Sequence, residues 1–527
     1  MPDFACIFGP PGTGKTSSLT KAIAHYVQEY GADKILATSF TKAGAHELAG
    51  RNASVLADHM HGTLHALCYR ALDGPKIAET QTEAGGWNHT YPHYAIPQNS
   101  FQASSLAGNP GDEPLSASLG QHRLHDYTVW RSVTCGEGVL PDLLEDFVRC
   151  WEQWKDQMGL RDFTDLLLDA LQVMPRAPGN PAMLVADEAQ DFTPLQWRLL
   201  RQWSRSCARW IVAGDDDQAL YTWCGASPQP MLEASEHEKI ILEQSYRLPE
   251  TIYAHAVTYL SRIMKRQDKR WAPRPHPGSL TSLSLPLGQV AQQAILDTLR
   301  DAYGAEHNCM ALAPCSYMLE GTLRWLRAEG IPFANPWRLR RGDWNPLVPR
   351  GRGISSRTRL LDFLRPPERL WTWPELHTWL PIIREKGTLN PRRWKSLLAL
   401  HEDEQRVCTL EECQGLFVPE ALSGALSGNL EWLTTRLRAD KARGMAYPIR
   451  IVERFGRSAL ARDPRIFIGT CHSVKGAEAD TVVLSTALSR RFAEARAWGG
   501  ESADAVERML YVGTTRAKER LLVTDQP

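Results

Sequence analysis

Charge of one sign is the first thing this 527-residue chain lacks: 60 lysines and arginines balance 60 aspartates and glutamates, a formal net charge of zero. That balance excludes a wholly basic nucleic-acid coat and an acidic disordered tail, while leaving local basic surfaces open. Long hydrophobic runs are also missing. No uninterrupted apolar stretch approaches the ~20 residues that a membrane span needs. Met1 leads through Asp3 into a short apolar strand, without a charged leader before a long apolar segment, so no signal peptide is expected. The 11 cysteines include no C-x-x-C pair. Their closest pairs, Cys309/Cys315 and Cys408/Cys413, lack a second half or a histidine pair, so zinc is not expected. Buried free thiols in a reducing cytosol, and hence a cytoplasmic location, are the expectation. No repeat of fixed period is present.

What is there is ordinary globular material, 43% hydrophobic and 23% charged, enough for several cores over roughly 150 residues each. Short apolar strands at Phe4–Phe8, Lys34–Phe40, Met183–Ala186, Trp210–Ala213 and Lys239–Leu242 are each followed by polar turns, with helical stretches between them. A second series comprises Met310–Ala313, Arg465–Ile468, Thr481–Leu484 and Arg520–Val523. Alternating buried strands and helices predict parallel sheets, here in two α/β cores. Two stretches interrupt the alternation. Residues 73–158 begin rich in Gly, Pro, Ser and Asn, with Ala95–Gly120 reading as loop or disorder, and end in a helical, Trp-rich run. Between Asn335 and Lys395 there are 14 Lys/Arg against 5 Asp/Glu, with Trp337, Trp344, Trp371, Trp373, Trp379 and Trp394 among them. Such arginines and indoles can grip phosphates and stack on bases. They can equally form a small buried Trp core with a solvated Arg face, and the pattern leaves both open.

The first strand runs into Gly9-Pro10-Pro11-Gly12-Thr13-Gly14-Lys15-Thr16 and then a helix. Strand, Gly-rich loop and helix in that order form a phosphate cradle, because glycines let successive backbone N–H groups turn inward and the helix N-terminus adds partial positive charge. Lys15 is placed to reach β/γ-phosphates and Thr16 to ligate Mg²⁺. The acidic pair Asp187-Glu188 at the end of a buried strand supplies the complement, with Asp187 on the metal side and Glu188 as general base.

Further blocks follow in a fixed order. They are Ala37-Thr-Ser-Phe-Thr-Lys42, Gly62-Thr-Leu-His65, Asp162-Phe-Thr-Asp-Leu166, Gly214-Asp-Asp-Asp-Gln218-Ala-Leu-Tyr221-Thr-Trp223, Gln244-Ser-Tyr246-Arg247, Thr470-Cys-His472-Ser-Val-Lys-Gly476-Ala-Glu478 and Tyr511-Val-Gly-Thr-Thr-Arg516-Ala-Lys518. Across nearly the whole chain this succession resembles superfamily-one helicases of the UvrD/Rep type. The resemblance implies Gln218 as γ-phosphate sensor and Arg247 and Arg516 as arginine fingers belonging to the second core. It implies Tyr246 as the adenine-stacking ring and Glu478 as the ribose contact. Phe40, Thr41, Thr63, His65, Tyr221, Trp223 and His472 become the implied single-strand DNA contacts, the aromatic ones by sequence-tolerant stacking.

The implied fold is α/β, with two RecA-like parallel-sheet cores, each carrying an inserted, mainly helical accessory subdomain. Residues 1–72 and 159–245 would form the first core with insertion 73–158. Residues 246–334 and 452–527 would form the second, with insertion 335–451. The implied activity is ATP- and Mg²⁺-dependent movement along single-stranded DNA, 3′→5′, with unwinding at single/double-strand junctions and ATP hydrolysed between the cores. A protein-stripping translocase and a nucleotide-dependent DNA-binding switch are the rivals. Two departures stand out: Cys224 occupies the place of a usual Arg after the motif Trp, and the chain leaves no room before Gly9 for the family's Gln-containing block. Weak discrimination between ATP and GTP is therefore expected. The chain also closes after the last motif strand, so no appended nuclease or tail domain is expected.

Overall fold

A computed structural model describes residues 3–52, 56–97, 118–283, 288–336, 344–348 and 353–525. The chain divides into two compact units, one of Met1–Ser282 with Thr470–Glu478 and Thr486–Val523, the other of Leu283–Gly469 with Ala479–Ser485 and Thr524–Pro527.

Six strands of the first unit are β1 (Asp3–Phe8), β2 (Ile35–Ser39), β3 (His61–Gly62), β4 (Met183–Asp187), β5 (Arg209–Gly214) and β6 (Lys239–Ile241). They form one sheet in the order β3-β2-β4-β5-β1-β6, and every pairing is parallel. β2 and β4 are buried along their whole length, which is why the sequence shows continuous apolar runs in place of alternation: both faces are covered. One face packs on Leu19, Ile23 and Leu48, the other on a larger core that includes Phe40, Leu167, Phe192 and Trp203. Because the strands are parallel, the loops after β1, β2, β4 and β5 leave from a single edge, the edge where ligands bind in open α/β sheets. The chain continues through β7 (Gln244–Pro249) and β8 (Ala272–Arg274), a two-stranded parallel ribbon.

The remaining strands are β9 (Ser279–Leu283), β10 (Cys309–Ala313), β11 (Phe333–Ala334), β12 (Ile466–Thr470), β13 (Ala479–Ser485) and β14 (Ala517–Thr524), in a second sheet of order β11-β12-β10-β13-β14-β9. Each strand expected from the sequence is present, with its ends displaced by a few residues at most.

Both interruptions are helical where described. Helices Gln81–Thr90, Leu119–Thr134 and Asp142–Met158 enclose a separate core of Trp87, Tyr94, Phe147, Trp151 and Trp154. Most of the loop expected at Ala95–Gly120 lies outside the described residues. In the second interruption Trp371, Trp373 and Trp379 are fully buried and Trp394 nearly so. Trp371 and Trp379 lie 5.1 Å apart, and Arg365 covers Trp371 at 4.9 Å. These indoles are therefore core, screened by arginines, and do not offer faces to bases: hydrophobic burial of large rings outweighs their exposure in so small a subdomain. Trp337 lies outside the described residues.

Candidate active site

The loop after β1 is tied down from three sides. Gly9 N–H donates to the Gly214 carbonyl at the end of β5 (3.0 Å). Thr13 Oγ1 donates to the Pro10 carbonyl (2.8 Å). From β7, Ser245 Oγ donates to the Pro11 carbonyl (2.7 Å) and Tyr246 N–H to that of Gly12 (2.8 Å). Gly12 has φ +74°, and a Cβ there would lie 2.3 Å from Arg247 Cβ, so only glycine admits the Gln244–Arg247 segment so close to the loop. Gly14, also left-handed, leads into helix Lys15–Tyr30 with no side-chain cap and no acidic residue in its first turn. Its leading N–H groups are thereby left for an anion. Lys15 Nζ folds back on the Gly9 carbonyl (2.6 Å).

β4 delivers Asp187 opposite the helix. Thr16 Oγ1 donates to Asp187 Oδ2 (3.3 Å). Burial, then the adjacent Glu188 charge, pushes the Asp187 carboxyl up to about 7. A buried carboxylate short of positive charge beside a hydroxyl is a donor set that fits Mg²⁺. Glu188 adopts φ +53°, a left-handed backbone uncommon outside glycine. Burial opposes its charge, but Lys475, Lys15 and Gln190 outweigh burial and hold the carboxyl below its usual value. Gln190 Nε2 donates to Glu188 Oε2 at 2.5 Å, and its Oε1 accepts from Asp215 N–H (2.9 Å).

Gln218 links these acids to the far end of the sequence. Its Oε1 accepts from Arg516 Nη2 (2.8 Å), its Nε2 donates to Asp215 Oδ2 (2.7 Å), and its carbonyl accepts from Lys475 Nζ (2.7 Å). Lys475 also bonds Asp191 and lies 3.9 Å from Glu188. Arg516 is buried, its fork also held by the Val512 and Ala477 carbonyls. Burial, then the Arg247 charge, pushes its guanidinium down to about 9, a cation whose environment favours a nearby anion. Arg247 Nε and Nη2 each lie 2.7 Å from Glu478 Oε2. Arg247, Glu478 and Arg516 all fall in the first unit with the loop. Tyr246, 73% exposed, is anchored through its backbone N–H to the Gly12 carbonyl.

The residues implied as DNA contacts are less uniform. Tyr221 is half-buried between Phe40 (5.4 Å between rings) and Lys475 Nζ (5.5 Å). Phe40 is buried in the main core, so it supports Tyr221 and has no free face. Trp223 stacks on His125 at 5.5 Å. Thr41 Oγ1 accepts from Gly44 N–H (3.0 Å) and Thr63 Oγ1 from Ala66 N–H (3.3 Å), each capping a helix. His65 sits edge-on to Phe163, and burial pushes its imidazole down to about 4, so it is neutral near pH 7. His472 is buried and stacked with Phe492. Cys224, in the place of the usual Arg, is buried with Sγ 3.0 Å from the Tyr221 carbonyl. The sequence patterns hold Gln190, Asp191 and Lys475 within or beside the motif blocks without giving them a role, and they do not single out Arg266 or Lys269. Only the run Asp215-Asp-Asp217 signals the last two, since three buried carboxylates require cations.

Residues 452–526 match the UvrD-like helicase C-terminal domain, and residues 1–223 match an AAA domain. The chain belongs to the UvrD/Rep-like superfamily-one helicase family. This UvrD-like chain is 24% identical to ATP-dependent DNA helicase UvrD2 of Mycobacterium tuberculosis, over 98% of its own length and 76% of the relative's. DNA helicase II of Haemophilus influenzae is 26% identical over 49% of this chain and 38% of that protein. ATP-dependent DNA helicase Rep of Salmonella typhimurium is 27% identical over 56% and 45% respectively. The UvrD-like chain thus spans less than half of the Haemophilus and Salmonella proteins and about three quarters of the mycobacterial one. Its architecture is the α/β one of the family, with two RecA-like cores.

Proposed function

We propose that this chain is an ATP-driven DNA helicase that moves along one strand, 3′→5′, and separates duplex at a single/double-strand junction. The observation that carries the reading is the gathering of Lys15, Asp187, Glu188, Gln218, Arg247 and Arg516 around one Gly-rich loop. In this reading the loop N–H groups and Lys15 hold the phosphates, and Thr16 and Asp187 would hold Mg²⁺. Bound Mg²⁺ would supply neutralising charge to the β/γ-phosphate oxygens. Glu188 accepts the proton of the attacking water, which its lowered carboxyl, ionised at neutral pH, equips it to do. Arg247 and Arg516 bring positive charge to the γ-phosphoryl group. Tyr246 stacks on the nucleobase. Gln218 senses the γ-phosphate and relays its loss through the same short segment to Tyr221 and Trp223, which face the strand. The relatives' names, all ATP-dependent or DNA helicases, support the substrate.

The test is ATP hydrolysis with and without single-stranded DNA, beside unwinding of duplexes carrying a 3′ or a 5′ tail. Hydrolysis stimulated by single strands, with unwinding from 3′ tails only, is expected. Stimulated hydrolysis that clears bound protein without separating strands would favour the translocase. Nucleotide-dependent DNA binding without turnover would favour the switch.

A further inference from the structure

Behind Gln218 lies a charged cluster that the proposed hydrolysis does not use. Asp215, Asp216 and Asp217 are all fully buried at the end of β5. The segment between β7 and β8 returns to them. Lys269 Nζ lies 2.8 Å from Asp215 Oδ1 and 2.8 Å from Asp217 Oδ2 and also bonds Asp216. Arg266 forks onto both oxygens of Asp217 (2.8 and 2.7 Å), and Gln267 N–H donates to Asp216 Oδ2 (2.8 Å). The Lys269 ammonium thus fills the point where the three carboxylates converge, which makes the cluster an ion-pair centre and not a cation site.

One oxygen leaves this centre with a different duty. Asp215 Oδ1 is taken by Lys269, so Oδ2 is the oxygen that accepts from Gln218 Nε2. The other end of that amide, Oε1, accepts from Arg516. The two ends of a glutamine amide are nearly equal in shape and opposite in hydrogen-bonding sense. Turned over, Gln218 would aim its carbonyl at a carboxylate and its N–H groups at a guanidinium, both repulsive. We propose that Lys269 and Asp215 are positioning residues for Gln218: they lock the sense of its amide, and with it the discrimination between a nucleoside triphosphate and a diphosphate. The inference rests on the ATPase reading above.

Lys269→Met strips the cation from three buried carboxylates and is expected to cost the fold, so the informative variant is Asp215→Asn. It keeps the volume and leaves Lys269 paired with Asp216 and Asp217. The side-chain carbonyl of the substituted residue then turns to Lys269, its N–H₂ group faces Gln218, and the Gln218 amide is driven over. The full chain, Asp215→Asn, Gln218→Ala and the double variant are compared by equilibrium binding of fluorescent ADP and a non-hydrolysable ATP analogue with Mg²⁺, and by turnover on single-stranded DNA. Asp215→Asn is expected to lower the triphosphate-over-diphosphate affinity ratio about fivefold or more and to reduce kcat with KM little changed, within the range of couplings between contacting groups. In the Gln218→Ala background the same substitution should change the ratio by less than about twofold. An equal effect in both backgrounds, or no effect in either, overturns the positioning role. If the parent also hydrolyses ATP, that result leaves the ATPase reading standing. A parent that binds neither nucleotide overturns both.

Discussion

Lys15, at the start of the helix after the β1 loop, and Glu188, just after β4, have different proposed duties and are expected to fail differently. Lys15 donates to its own loop carbonyl, so Lys15→Ala should weaken binding of the triphosphate and turnover together. Glu188→Gln keeps the Gln190 contact geometry but removes proton acceptance, a role typically worth 10²–10⁴-fold in rate. Nucleotide affinity near the parent's with hydrolysis lost is the expected pair of measurements, and hydrolysis at the parent rate would refute the base assignment. Arg516 is the second decisive residue. Its planar fork meets Gln218, the Val512 and Ala477 carbonyls and Thr515 at once, a pattern that a point ammonium cannot copy. Arg516→Lys should therefore lower kcat by at least about tenfold, the effect of roughly 1.4 kcal/mol, and a kcat within about twofold of the parent's would show that charge alone suffices.

At the scale of elements, helices Leu119–Thr134 and Asp142–Met158 are tied to helix Phe163–Val173 by buried charge. Arg131 bonds Asp162 (2.5 Å) and Asp165 (2.7 Å), and Lys155 Nζ bonds the same two (2.9 and 2.6 Å). Glu79 joins them by accepting from Phe163 N–H at 2.6 Å. Burial, then the Asp162 charge, pushes the Glu79 carboxyl up to about 8. The folded chain thus binds this proton more tightly than the unfolded chain does. Its contribution to stability is complete below the ordinary glutamate range, about 4.3, and is lost as pH rises through about 8. Glu79→Gln, which carries a permanent neutral acceptor, should flatten the stability profile between about pH 5 and 8 and stabilise the protein at about pH 8. The scale is about 1.4 kcal/mol for each tenfold change in proton affinity. Denaturant midpoints measured across that pH range check it, and an unchanged slope would mean that Glu79 is ionised in the fold. The Trp-rich interruption follows the same logic in apolar form, with indoles inside and arginines laid over them.

At the scale of the whole molecule, the proposed nucleotide site draws on residues from Gly9 to Arg516, yet every one of them belongs to the first compact unit. Ligand that binds only the folded state stabilises it by about 2.7 kcal/mol at a hundred times Kd. Saturation with Mg²⁺ and a non-hydrolysable ATP analogue should therefore slow hydrogen exchange in peptides from the Gly9–Thr16 loop, Gln244–Arg247 and Gly500–Arg516. Peptides around Trp371–Trp379 in the second unit should exchange as before. Protection spread equally over both sets would contradict a site confined to the first unit.

The sequence by itself determined the strands, the loop and the acidic pair, because each is a local consequence of composition. Continuous apolar runs cannot be solvated, and the Gly9–Gly14 spacing serves one backbone shape. A carboxylate pair ending a buried strand of a parallel sheet must emerge at the ligand edge. The tertiary structure decided the rest. Lys475 meets Asp191 across 284 positions and Arg516 meets Gln218 across 298, and no periodicity encodes such pairings. Phe40 reads as a candidate stacking ring and the insertion tryptophans as either stacking rings or core, and packing shows Phe40, Trp371, Trp373, Trp379 and Trp394 committed to cores. The Asp215–Asp217 run announces a need for cations. That Lys269 and Arg266 answer it is settled by the path of the chain between β7 and β8, since a buried charge takes the partner that the fold brings within reach.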